Sequence, residues 1–162
     1  DLTWSNAALL TSVLADHAVE IAPVIGFGLT EDRHHRAPIS NAHGFSLEWV
    51  RVAPGSSLGL HRGDEPRALI LDSGQWEITF NQPEDEVRSR PVAGSVVSVP
   101  AVTWNNMTNV GDTEALALVV CNSDSPTTID WDDELIKDAN GAGWGLDAGG
   151  FIAPIELLAR RS

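Results

Sequence analysis

From residue 43 to residue 123, no apolar run outlasts one β-strand before Gly, Pro, Asn, Asp or another polar residue interrupts it. Phe45, Leu47 and Trp49 alternate with Ser46, Glu48 and Val50, the period-two pattern of a strand with one apolar face. A turn follows at Pro54-Gly55-Ser56, then residues 68–71, a turn at Asp72-Ser73-Gly74, and a segment placing Trp76, Ile78 and Phe80 on one face. Val96, Val97 and Val99 lead into Pro100, and residues 116–120 form another run of buried type. Short strands punctuated in this way predict an all-β sandwich or barrel.

The flanks read differently. Residues 5–20 predict a helix, with Ser5 or Asn6 as cap and Leu9, Leu10, Val13, Leu14 and Ala18 at helical spacing. Residues 21–39 read as irregular. After residue 126, acidic side chains surround Trp131 and Leu135, and residues 140–150 hold five glycines together with Trp144. The division expected is an N-terminal arm over 1–42, a barrel over 43–125 and a Gly-rich C-terminal arm over 126–162. Such an arm cannot build its own core, so Trp144 and Phe151 are taken as anchors against another surface.

Composition narrows the partners. Twenty-three Asp and Glu against ten Lys and Arg give a net charge of -13, opposite to what a phosphate backbone attracts. No run reaches the ~20 apolar residues of a membrane span. The single cysteine, Cys121, has no partner for an internal disulfide, and no signal peptide is visible at Asp1-Leu2-Thr3. A reducing cytoplasm is the compartment expected.

Within the strand region a spaced framework emerges: Gly55 and His61 with five residues between them, Gly74, then Gly94, Pro100 and Asn109. This framework resembles the two sequence motifs of the cupins, over roughly residues 45–122. The resemblance implies a cupin jelly-roll barrel. It also implies four metal ligands, three His and one Glu, of which this chain keeps His61. Gly63, Arg67 and Asn105 stand at the other three positions, and Val102 replaces a motif glycine. Glycine offers no side-chain ligand and a guanidinium does not deprotonate to become one, so neither a metal nor a catalytic residue is expected in this chain.

Among cupins the chain is similar to the small subunits of two-component hydroquinone 1,2-dioxygenases. That resemblance implies a supporting subunit in an α2β2 heterotetramer whose larger cupin chain holds iron(II) and cleaves hydroquinone to 4-hydroxymuconic semialdehyde. His61, Arg67, Trp76, Trp104 and Asn105 are then the residues expected at the small aromatic substrate or at the partner, with Trp144 and Phe151 at the interface. Two other readings stand beside it. One is a metal-free small-molecule sensor using Arg67 and Trp76. The other is a metal-free isomerase or epimerase using His61 with Asp72.

Overall fold

The computed structural model describes residues 1–41 and 43–158. Its strands are β1 (Val19–Ile25), β2 (Ser46–Val52), β3 (His61–Gly63), β4 (Arg67–Ser73), β5 (Trp76–Phe80) and β6 (Val87–Ser89). They continue as β7 (Val96–Val99), β8 (Asn105–Asn109), β9 (Ala115–Cys121), β10 (Ile129–Trp131), β11 (Trp144–Leu146) and β12 (Ile152–Pro154). Two five-stranded sheets, in the orders β1-β2-β9-β4-β7 and β10-β3-β8-β5-β6, face each other, and all their pairings are antiparallel. Val50, Val52, Leu69, Leu71, Ile78, Met107, Ala117 and Val119 fill the space between them. This is the jelly-roll expected, and its sheets reach beyond 43–125 because β1 and β10 belong to them.

The helix expected over 5–20 does not form. Leu10–Val13 is a single 3-10 turn, and Val19–Ile25 pairs with β2 as a strand rather than running on irregularly. Leu9 and Leu10 are still buried, whereas Val13 and Leu14 are half-buried and Ala18 is exposed. Val, Ile and Pro in residues 19–25 favour an edge strand over a helix.

The phase of β2 is also opposite to the apolar pattern. Ser46, Glu48, Val50 and Val52 point inward, leaving Leu47, Trp49 and Arg51 half-buried on the other face. The C-terminal arm lies against the chain's own barrel. Helix α1 (Asp133–Gly141) begins where the Asp132 carboxylate accepts the N–H of Glu134 at 3.2 Å. It leads into the hairpin of β11 and β12 and the short helix α2 (Ile155–Leu158). Leu135, Ile136, Leu146 and Ile152 pack on the core.

Val102 adopts φ 60°, a left-handed conformation that β-branched side chains strongly disfavour, and its side chain is exposed. Replacing it with the glycine that fits this backbone is expected to stabilise the chain by about 1 kcal/mol. Urea denaturation of Val102→Gly checks this.

Candidate functional site

Strand register builds the lumen of the barrel as two rows. On one sheet Ser46 pairs with Cys121, and Cys121 pairs with Arg67 across β2, β9 and β4. On the other, His61 of β3 pairs with both Trp131 of β10 and Asn105 of β8. Glu48 lies two residues on from Ser46 along the same inward face. All seven of these side chains are buried.

Hydrogen bonds fix the histidine completely. Its Nδ1–H donates to the Gly59 carbonyl at 2.7 Å, which leaves the Nε2 lone pair to accept from Arg67 Nη1 at 3.1 Å. The Trp131 ring lies 5.3 Å from the imidazole, tilted by 50°. Burial, with the guanidinium beside it, pushes the His61 pKa down to about 3, so the ring is neutral. A cation facing this nitrogen removes any reason for it to take a proton.

Arg67 occupies the space that a side chain at residue 63 would need. A Cβ added at Gly63 would collide with Arg67 Nη2 and sit 3.4 Å from Thr127 Cγ2. Burial pushes the guanidinium pKa down, with Cys121 and Glu48 acting in the opposite direction. Its Nε is buried without a hydrogen-bond partner, as is Ser46 Oγ at the other end of the same register row.

Glu48 is held by a different contact. Both carboxylate oxygens accept the Leu29 N–H, at 3.0 and 2.8 Å, and Gly28 leaves room for them because a Cβ there would strike the carboxylate. Desolvation raises its pKa to about 7, opposed by the Leu29 N–H and by Arg67. A second buried carboxyl, Glu31, is raised to about 7 for the same reason. It accepts the Leu10 N–H at 2.8 Å and the indole N–H of Trp131 at 3.1 Å. A run of contacts therefore links Glu31, Trp131, His61 and Arg67. The sequence reading missed Glu31 and Glu48. An acid at an inward strand position was the available signal for Glu48, and no local signal marks Glu31.

The other expected site residues are dispersed. The Asn105 amide donates to the His61 carbonyl at 3.2 Å and to the Thr103 carbonyl at 3.0 Å, so it braces the strand pair. Trp76 is buried in the core with its indole N–H on the Ser73 carbonyl at 3.0 Å, packed as the face-mate of Ile78. Trp104 is half-buried with the Arg62 guanidinium 4.7 Å from its ring, and Arg62 pairs with Asp130 at 2.7 Å. Trp144 is exposed on β11, whereas Phe151 is half-buried beneath Arg33, 4.9 Å from its ring. Asp72 is exposed at the end of β4, while the His61 ring nitrogens face Gly59 and Arg67. The acid–base pair of the isomerase reading is therefore not assembled.

Among the described residues, no three His, Cys, Asp or Glu side chains converge where they could hold a metal ion. The lumen does not fit one. The free nitrogen of His61 is committed to a guanidinium, Gly63 has no side chain, and Asn105 turns its amide to the backbone.

Solved structures with the same architecture include oxalate oxidase, at a TM-score of 0.59 and 20% identity over 91% of this chain and 67% of that one. Oxalate oxidase in complex with glycolate matches at 0.57 and 21%, over 74% of this chain and 57% of the other. The fold is that of the cupins. Oxalate decarboxylase from Bacillus subtilis matches at 0.53 and 18%, over 67% of this chain and 26% of its own length. Vicilin from hazelnut, Corylus avellana, also matches at 0.53, with 16% identity over 72% of this chain and 32% of that one. This chain thus spans just over half of the glycolate-bound oxidase and about a quarter to a third of the last two. No family model matches the sequence, and no curated protein does.

Two outcomes follow from the lumen. Gly63→Ala is expected to destabilise the fold by about 2 kcal/mol, and the added methyl to cost roughly half as much or less when Arg67 is Met. A denaturation double-mutant cycle measures that coupling. The buried carboxyls set a pH dependence. Their folded pKa values near 7 lie above the unfolded value, so their ionisation weakens the fold as pH rises from about 4.5 through 7. His61 acts oppositely, its contribution being complete above 6.5 and lost as pH falls towards 3. Glu31→Gln is expected to shrink the loss of stability between about pH 5.5 and pH 8, read from melts at both values.

Proposed function

We propose that this chain is a non-catalytic cupin subunit supporting a larger, iron(II)-dependent cupin chain, as in the ring-cleaving hydroquinone 1,2-dioxygenases. The observation that carries the reading is Arg67. Its guanidinium fills the lumen where a side chain at 63 would project, and it takes the one imidazole nitrogen left from the ligand set. A barrel wall kept intact around a plugged centre fits a part that works by association. In this assignment the partner binds the small aromatic substrate and iron(II), and carries out the ring cleavage. Trp104 with Arg62, and the exposed Trp144, are the side chains offered to it. Trp76 and Asn105 act from inside, by holding the barrel in shape.

Native-stoichiometry purification from the source cell tests this. A larger cupin chain carrying iron and hydroquinone-cleaving activity is expected to come with this one, while the separated chain neither retains stoichiometric iron nor turns over. Stoichiometric metal held by His61 in the isolated chain, or turnover by it alone, would refute the assignment. A metal-free sensor is the second reading, favoured by Arg67 Nε standing without a partner in the lumen. It requires the isolated chain to rise in melting temperature with a small carboxylate, and Arg67→Met to abolish that rise.

A further inference from the structure

One end of the barrel differs from the rest of the surface. β6 and β7 are the outermost strands of their respective sheets, and residues 90–95 join one to the other. Among the described residues, no strand pairs with the outer edge of either. An open edge of this kind presents a row of backbone N–H and C=O groups to any strand that approaches. Natural edges are usually protected by charge; Arg88 supplies some on β6, but β7, Val96–Val99, carries none. Val92, Val96, Val102 and Val87 are 76%, 67%, 59% and 56% exposed, the highest values among the described large apolar side chains.

The charge pattern points to what covers it. Residues 87–111 contain no Asp or Glu, although the chain averages about one acid in every seven residues. Two copies of a chain with net charge -13 repel wherever their carboxylates face each other. This end is where they can approach without that cost. Of the carboxylates nearest to it, Glu77 and Glu86 are paired with Arg88 and Arg90, and Glu84 and Asp85 lie on the turn ahead of β6, away from β7 in sequence.

We infer that this end is a homodimer interface, in which β7 pairs antiparallel with β7 of a second copy across a two-fold axis. A register centred on Val97 keeps the faces matched. Val97 then lies opposite its own copy, and exposed Val96 lies opposite exposed Ser98 on the outer face. No charged residue falls in either strand. Pairing joins the two larger sheets into one, and the two-fold symmetry consumes both β7 edges, so the assembly closes at two copies. Val92 and Val102 flank the strand and extend the apolar contact on either side. The inference does not depend on the subunit reading, because it concerns this chain alone.

Sedimentation equilibrium of the full chain in ~0.15 M salt tests it. Twice the chain mass is expected at ~50 μM, with tighter association at higher salt as the repulsion of the two acidic bodies is screened. Val96→Lys and, separately, Val92→Lys are expected to weaken association roughly tenfold or more with unchanged circular dichroism, because both side chains face solvent in the single chain. Leu157→Lys, the same change at another exposed apolar side chain, on α2, is expected to leave the dimer intact. Amide exchange at 96–98 is expected to slow as protein concentration rises. A wild-type chain that stays monomeric at ~100 μM overturns the proposal, as does a dimer indifferent to both lysine variants.

Discussion

The contact between Arg67 and His61 governs the interior of this barrel. A guanidinium taken out of water needs acceptors, and here a neutral imidazole supplies one while Glu48 and Cys121 oppose the cost of burial. The choice propagates outward. His61 must carry its proton on Nδ1, so Gly59 has to present a carbonyl to it. Residue 63 must lack a Cβ, and Thr127 closes what space remains. Few of these positions can change without disturbing the next. The arrangement explains how a barrel with a guanidinium at its centre stays well packed there.

The flanking arms complete that centre rather than merely decorating it. The N-terminal segment contributes β1 and Glu31, and the C-terminal segment contributes β10 and Trp131. Their meeting point lies directly behind the His61 ring. The hairpin of β11 and β12 then covers the same region, with the Ile152 N–H on the Glu31 carbonyl at 3.0 Å. A Gly-rich stretch that looks unstructured as sequence is thereby held against the barrel by Leu146, Ile152 and the preceding helix.

How much of this was legible depended on whether the signal was local. The turn glycines and His61 stood at fixed spacing, and they located the jelly-roll. The strands β2, β4, β5, β7 and β9 were readable, but β1 was not, and neither was the phase of β2. An apolar-in rule assigns Leu47 and Trp49 to the core, whereas Glu48 is drawn inward by the Leu29 N–H, a donor nineteen residues away. The false helix over 5–20 arose because Leu9, Leu10 and Val13 fit helical spacing while packing from a single 3-10 turn. Arg67 was recognisable as an inward residue in need of a partner, and that partner proved to be His61 itself. Glu31 was invisible because its indole donor lies 100 residues further along the chain.

That separation also constrains how the molecule assembles. The Glu31 carboxylate takes the Leu10 N–H locally, but the Trp131 indole reaches its acceptor only when the two ends of the chain meet, so loop-closure entropy is spent on the whole intervening chain first. On a ribosome, residues 1–121 can emerge with every strand of the β1-β2-β9-β4-β7 sheet present and still lack the tryptophan that backs the central histidine. The barrel is therefore finished from its last third, and until then Glu31 holds the Leu10 N–H without the indole at the place the tail will later occupy.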